Sequence, residues 1–77
     1  MSVTIDQLKY TALLPLIQTL PGFAGSKVQN TYTLKFLFHS GFACLISKNT
    51  KNPSLAVHFE NQEKDEANYL AIMNAIV

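Results

Sequence analysis

The side chains able to do acid–base, nucleophilic or metal chemistry are few: one cysteine, Cys44, two histidines, His39 and His58, and five carboxylates. Cys44 and His58 are near enough along the chain to suggest a nucleophilic dyad, in which an imidazole removes the thiol proton. The alternation around them argues against it. Cys44 falls with Phe36, Phe42 and Val57 on an apolar face, and His58 falls on the opposite one. A thiol in such surroundings keeps its proton and is inert. His39 and Ser40 precede Gly41, no acid adjoins them in sequence to orient the imidazole, and turn chemistry accounts for Ser40 and Gly41. Glu60, Glu63, Asp65 and Glu66 lack the loop spacing and glycine of a calcium site, and the start of a helix explains their sign. One Cys and two His do not make a tetrahedral zinc set. Gly22, Gly25 and Gly41 do not make a phosphate-binding loop. These residues point to a non-enzymatic chain that needs no cofactor and no metal.

The scaffold that must carry any other function is small. With 77 residues, 48% apolar, 14% charged and a net charge of +1, the chain fits one compact domain over residues 1–77. Disorder is excluded, because disordered chains combine low apolar content with high net charge. A single Cys also excludes an internal disulfide framework. The stretch Thr11–Leu20, TALLPLIQTL, contains Gln18 and Thr19 and is too short to span about 30 Å of hydrocarbon. Read as the apolar part of a cleaved signal, it would have Lys9 before it and Phe23-Ala24-Gly25-Ser26 as a cleavage region. Asp6 in the leading segment and the helical spacing of the apolar residues favour a cytoplasmic protein with no membrane association.

Hydrophobic periodicity predicts an α+β protein of order α-β-β-β-α. Thr4 and Gln7 have the spacing of a capping box, and Val3 with Leu8 that of a hydrophobic staple. Ile5, Leu8, Ala12 and Leu16, then Leu13, Ile17 and Leu20, recur at helical steps. Pro15 should kink or interrupt that helix, and Pro21-Gly22 should end it. After a loop over Gly22–Ser26 the period becomes two. Tyr32, Leu34, Phe36 and Phe38 share one face of a strand; His39-Ser40-Gly41 is a three-residue hairpin loop with Gly41 left-handed. That loop pairs Phe36 with Cys44 and Leu34 with Ile46, which keeps both apolar sets on one face. Lys48–Pro53 is a second turn, and Leu55, Val57 and Phe59 alternate along a third strand, paired as Ile46 with Leu55, Cys44 with Val57 and Phe42 with Phe59. Asn61 would cap a final helix with Tyr69, Ile72, Met73 and Ile76 as its apolar stripe. The expected sheet is a three-stranded antiparallel meander with both helices on one face.

Function must then reside in surfaces. The uncovered sheet face would carry Leu37, Ala43, Leu45 and Ala56 as one contiguous patch, interleaved with Lys35 and His58. The segment Thr31–Phe36 would be an exposed sheet edge guarded by one Lys. Such surfaces suit a protein-interaction module, either a homodimer or an inhibitor or adaptor of a larger partner. Small α+β proteins without an active site, including immunity-type and phage or mobile-element accessory proteins, serve in this way, by fold-level analogy. The alternative is weak nucleic-acid binding. Between Asp6 and Glu60 the chain holds five Lys and no acid, which offers Lys27, Lys35, Lys48 and Lys51 to phosphates. Ser40-Gly41-Phe42-Ala43-Cys44-Leu45 loosely resembles the Gly-aromatic sheet motif of RNA-recognition domains, but it lacks the leading cation and the further aromatics. Phe36 and Phe42 are needed in the core, and the chain has no Arg for bidentate contacts.

Overall fold

The computed structural model describes residues 2–48 and 54–77. Among these residues the chain forms β1 (Ser2–Ile5), α1 (Gln7–Thr19), β2 (Phe23–Asn30), β3 (Thr33–Phe38), β4 (Ala43–Lys48), β5 (Leu55–Glu60), a 3-10 turn at Gln62–Lys64 and α2 (Glu66–Ile76). The strands make one antiparallel sheet in the order β1-β5-β4-β3-β2. The expected meander is therefore part of a five-stranded sheet, flanked by two strands where the sequence pattern suggests a helix start and a loop.

At the N-terminus, Val3 and Ile5 alternate with Thr4 and pair with Val57 and Leu55. Period-two burial of Val3 and Ile5 overrides the capping box. Thr4 is extended within β1, and Asp6 caps α1 instead, its carboxylate accepting from the Lys9 N–H at 2.8 Å. Leu8 is 83% exposed, so no staple forms with Val3. Pro15 sits inside one continuous α1 rather than dividing it. β2, FAGSKVQN, has mostly exposed polar side chains and so shows no amphipathic alternation. It forms because it completes the ladder of β3, with irregularities between Phe23 and Gly25 and between Val28 and Asn30.

The hairpin loop is as the pattern implies. Phe36 pairs with Cys44 and Leu34 with Ile46, the Gly41 N–H donates to the Phe38 carbonyl at 3.0 Å, and Gly41 has φ of 98°. The next pairing is displaced by two residues from the expected one. Ile46 lies opposite Val57, Cys44 opposite Phe59 and Lys48 opposite Leu55. A two-residue slip leaves every side chain on its expected face, so the apolar pattern alone does not distinguish the two registers.

The core lies between one sheet face and both helices. Phe36, Phe38, Phe42, Cys44, Ile46, Leu55, Val57 and Phe59 from the sheet meet Leu13 and Ile17 of α1 and Ile72 and Ile76 of α2. Aromatic contacts run across it: Phe38 to Phe42 at 5.1 Å, Phe42 stacked on Phe59 at 6.1 Å, and Phe59 edge-on to Tyr69 of α2 at 5.0 Å. Asp65, not Asn61, caps α2, with its carboxylate accepting from the Asn68 N–H at 3.4 Å. Asn61 takes a left-handed conformation (φ 56°) ahead of the 3-10 turn and donates from Nδ2 to the Gly41 carbonyl at 3.2 Å. Among the described residues no helix is long and apolar enough to cross a membrane.

Candidate interaction face

The registers assign each side chain of the second sheet face to a row. One row runs Lys27, Lys35, Leu45, His58 across β2, β3, β4 and β5. Its neighbours run Gly25, Leu37, Ala43, Glu60 on one side and Thr33, Ser47, Ala56, Thr4 on the other. These outward residues are absent from the helix-covered core cluster. The face thus contains each residue expected on it, Leu37, Ala43, Leu45, Ala56, His58 and Lys35.

Their arrangement differs in two ways from the expected bare patch. First, the two-residue slip puts His58 opposite Leu45 and Ser47 opposite Ala56, so the apolar residues are divided by polar ones instead of forming one continuous strip. Second, Leu45 is only 6% exposed and Ala43 3%, although no helix covers them. An ion pair spans the same strand. Lys35 on β3 reaches Glu60 on β5, Nζ to Oε1 at 3.0 Å, crossing β4 between the Ala43 and Leu45 rows. The aliphatic stem of Lys35 shields the β4 side chains while its ammonium stays at the surface. Leu37 and Ala56 remain half-buried and His58 exposed. What the face presents is two apolar shoulders, Leu37 and Ala56, on either side of an ion-paired ridge.

The sheet edges also differ from expectation. β3 is internal, so Thr31–Phe36 is not the edge; β2 and the short β1 take that place. β2 carries Lys27 and irregular pairing at both ends, features that discourage strand addition.

The nucleophilic candidates are separated by the sheet. Cys44 points into the core with no exposed surface, and burial pushes its thiol up to about 12, while the adjacent row places His58 on the far face. Ser40 has a different partner, which its sequence neighbours do not reveal. Its hydroxyl donates to Asp65 Oδ2 at 2.8 Å, and Asn68 Nδ2 donates to the same oxygen at 3.0 Å and to the Pro21 carbonyl at 2.7 Å. Asn68 is the buried polar side chain of the described residues. It joins the α1–β2 connection, the hairpin loop and the start of α2, a structural tie that satisfies every member. Among the described residues no three His, Cys, Asp or Glu side chains converge as metal ligands.

Of the lysines, Lys27 and Lys35 are direct cross-strand neighbours on the outer face, and Lys48 ends β4 on the helix side of the sheet. Lys51 lies outside the described residues, as does most of the Lys48–Pro53 turn. The aromatic rings of the strands all point into the core, so the outer face offers no stacking platform. Compared with family models, curated proteins and solved structures, the chain matches none.

Proposed function

We propose that this chain is a non-enzymatic protein-interaction module, acting as a homodimer or as an inhibitor or adaptor of a larger protein, such as a phage or mobile-element accessory protein. One observation carries the reading: both helices pack on a single face of the sheet, and among the described residues Leu37, Ala56 and His58 lie on the other face with no helix over them. A partner resting there gains apolar contact at the Leu37 and Ala56 shoulders and meets the Lys35–Glu60 pair between them. Burial of Cys44 and the engagement of Ser40 with Asp65 support a role without nucleophilic chemistry.

Leu37→Lys tests the proposal, because it adds a charge to the face at a position already partly solvated. Solution mass at several protein concentrations, with affinity capture from the native host, should show association weakened by about tenfold or more in the variant. Thermal unfolding should stay within a few degrees of the parent. Unchanged association would refute the use of this face.

The neighbouring Lys27 and Lys35 favour a second reading, weak nucleic-acid binding, with Lys48 and Lys51 as further contributors. Salt separates the two. Affinity for phosphates falls steeply between about 50 and 200 mM salt, whereas association through apolar burial persists.

A further inference from the structure

On the helix side of the sheet, a groove of about 190 Å³ opens beneath the first half of α1, next to the β2–β3 turn. Val28, Leu34 and Ile46 of the sheet line it, together with Tyr32 of the turn and Tyr10 of α1. Val28 is 74% exposed and Tyr32 52%, an unusual exposure for two large apolar side chains lining one depression. The sheet register explains the opening. Val28, Leu34, Ile46 and Val57 make one row on the helix side, and exposure along it rises from Val57 and Ile46, both buried, to Val28 at the sheet edge. Of the described lining residues Lys48 alone is charged, and among the described residues no carboxylate pairs with it. Lys48 shares the row of Leu55, and its backbone N–H is held to the Tyr32 carbonyl at 2.8 Å, which fixes the cation's root at the groove's rim.

We propose that this groove is a binding site for a small apolar carboxylate, of the size of a single ring with a short acidic tail. The volume sets the size, since an apolar cavity of about 150 Å³ accommodates benzene. A helix or a strand of a partner protein is far too large to enter. The charge sets the polarity: the ring rests against Val28, Tyr10, Tyr32, Leu34 and Ile46, and the carboxylate meets the Lys48 ammonium. This site is on the opposite side of the sheet from the proposed interaction face, so the two stand or fall separately.

The test is a titration of the uniformly 15N-labelled full chain with 3-phenylpropionate, followed by amide shifts. The uncharged alcohol and the cationic amine of the same skeleton serve as controls. Saturable shifts are expected at Val28, Tyr32, Leu34 and Lys48, with a dissociation constant on the order of 1 mM for so small a contact. At low salt the carboxylate should bind about fivefold more tightly than the alcohol, the value of one exposed ion pair, and the amine most weakly. Lys48→Gln should erase the preference for the acid over the alcohol while both still bind. Val28→Ser, which shortens the apolar wall without adding charge, should weaken the acid and the alcohol alike, with little change in thermal unfolding. No saturable shift up to 20-fold above that concentration (~20 mM) overturns the site. Shifts centred elsewhere, or equal affinity for acid and amine, overturn the assignment of the occupant.

Discussion

Raising the pH probes the burial of Cys44 directly. In the fold the thiol sits between Phe36 and Phe59 with no exposed surface, and its ionisation moves from 9.0 to about 12 because a thiolate there would be stripped of water. In the unfolded chain the same group ionises near its ordinary value. Below about pH 9 the thiol is protonated in both states, and the fold keeps its full stability. Between about 9 and 12 the unfolded chain releases a proton that the folded chain retains, so each pH unit favours unfolding by about 1.4 kcal/mol. At pH 10.5 the loss from this group is about 2 kcal/mol. Cys44→Ala, which lacks only the thiol, serves as the reference. The variant is less stable at neutral pH because of the cavity, but its pH curve lacks the thiol contribution. Urea unfolding at pH 8 and pH 10.5 should show the gap between the two proteins narrowing by about 2 kcal/mol. Thiol labelling gives a second readout. At pH 8 the native thiolate fraction is lower than the unfolded one by about a thousandfold, so a disulfide reagent should react correspondingly slowly. Parallel pH curves, or native labelling within tenfold of the unfolded rate, would refute the placement of Cys44.

Other perturbations examine the remaining joints of the fold. Gly41→Val should lower stability by about 1–2 kcal/mol in thermal unfolding, because a β-branched residue resists a φ of 98°. An added side chain there meets only the flexible end of Lys64 at 3.3 Å, so the cost is conformational and not steric. Leu45→Lys should cost about 2–3 kcal/mol, since the residue is 6% exposed even without a helix above it, while Leu37→Lys should cost well under half as much. Equal unfolding midpoints for those two variants would contradict the role of the Lys35–Glu60 pair in closing over β4. Asp65→Ala removes the cap of α2 and the acceptor shared by Ser40 and Asn68, with an expected loss of about 2 kcal/mol by urea unfolding. Asp65→Asn, which keeps one acceptor oxygen, should recover part of it.

Sequence alone determined the face on which each residue of the central strands lies. Phe36, Cys44, Ile46, Val57 and Phe59 go inward and Lys35, Leu37, Leu45 and His58 outward because a strand has a period of two, and burying an apolar set specifies that period strongly. The left-handed Gly41 and the three-residue hairpin loop were legible for the same reason, since only that loop length puts both apolar sets on one face. The candidate surface was legible by composition and not by arrangement. A shift of two residues between β4 and β5 preserves inward and outward, so the pattern holds no information on whether Leu45 faces Ala56 or His58. The flanking strands were hidden for another reason. β1 is four residues long and overlaps a plausible helix start, and β2 exposes nearly all of its side chains. Their strand conformation comes from the unpaired backbone groups of β5 and β3, which the ladder satisfies whatever the side chains are. The ion pair over β4 and the link from Ser40 through Asp65 to Asn68 join residues 25 positions apart. Neither leaves a local signature, because such contacts form only after the sheet and helices have been brought together.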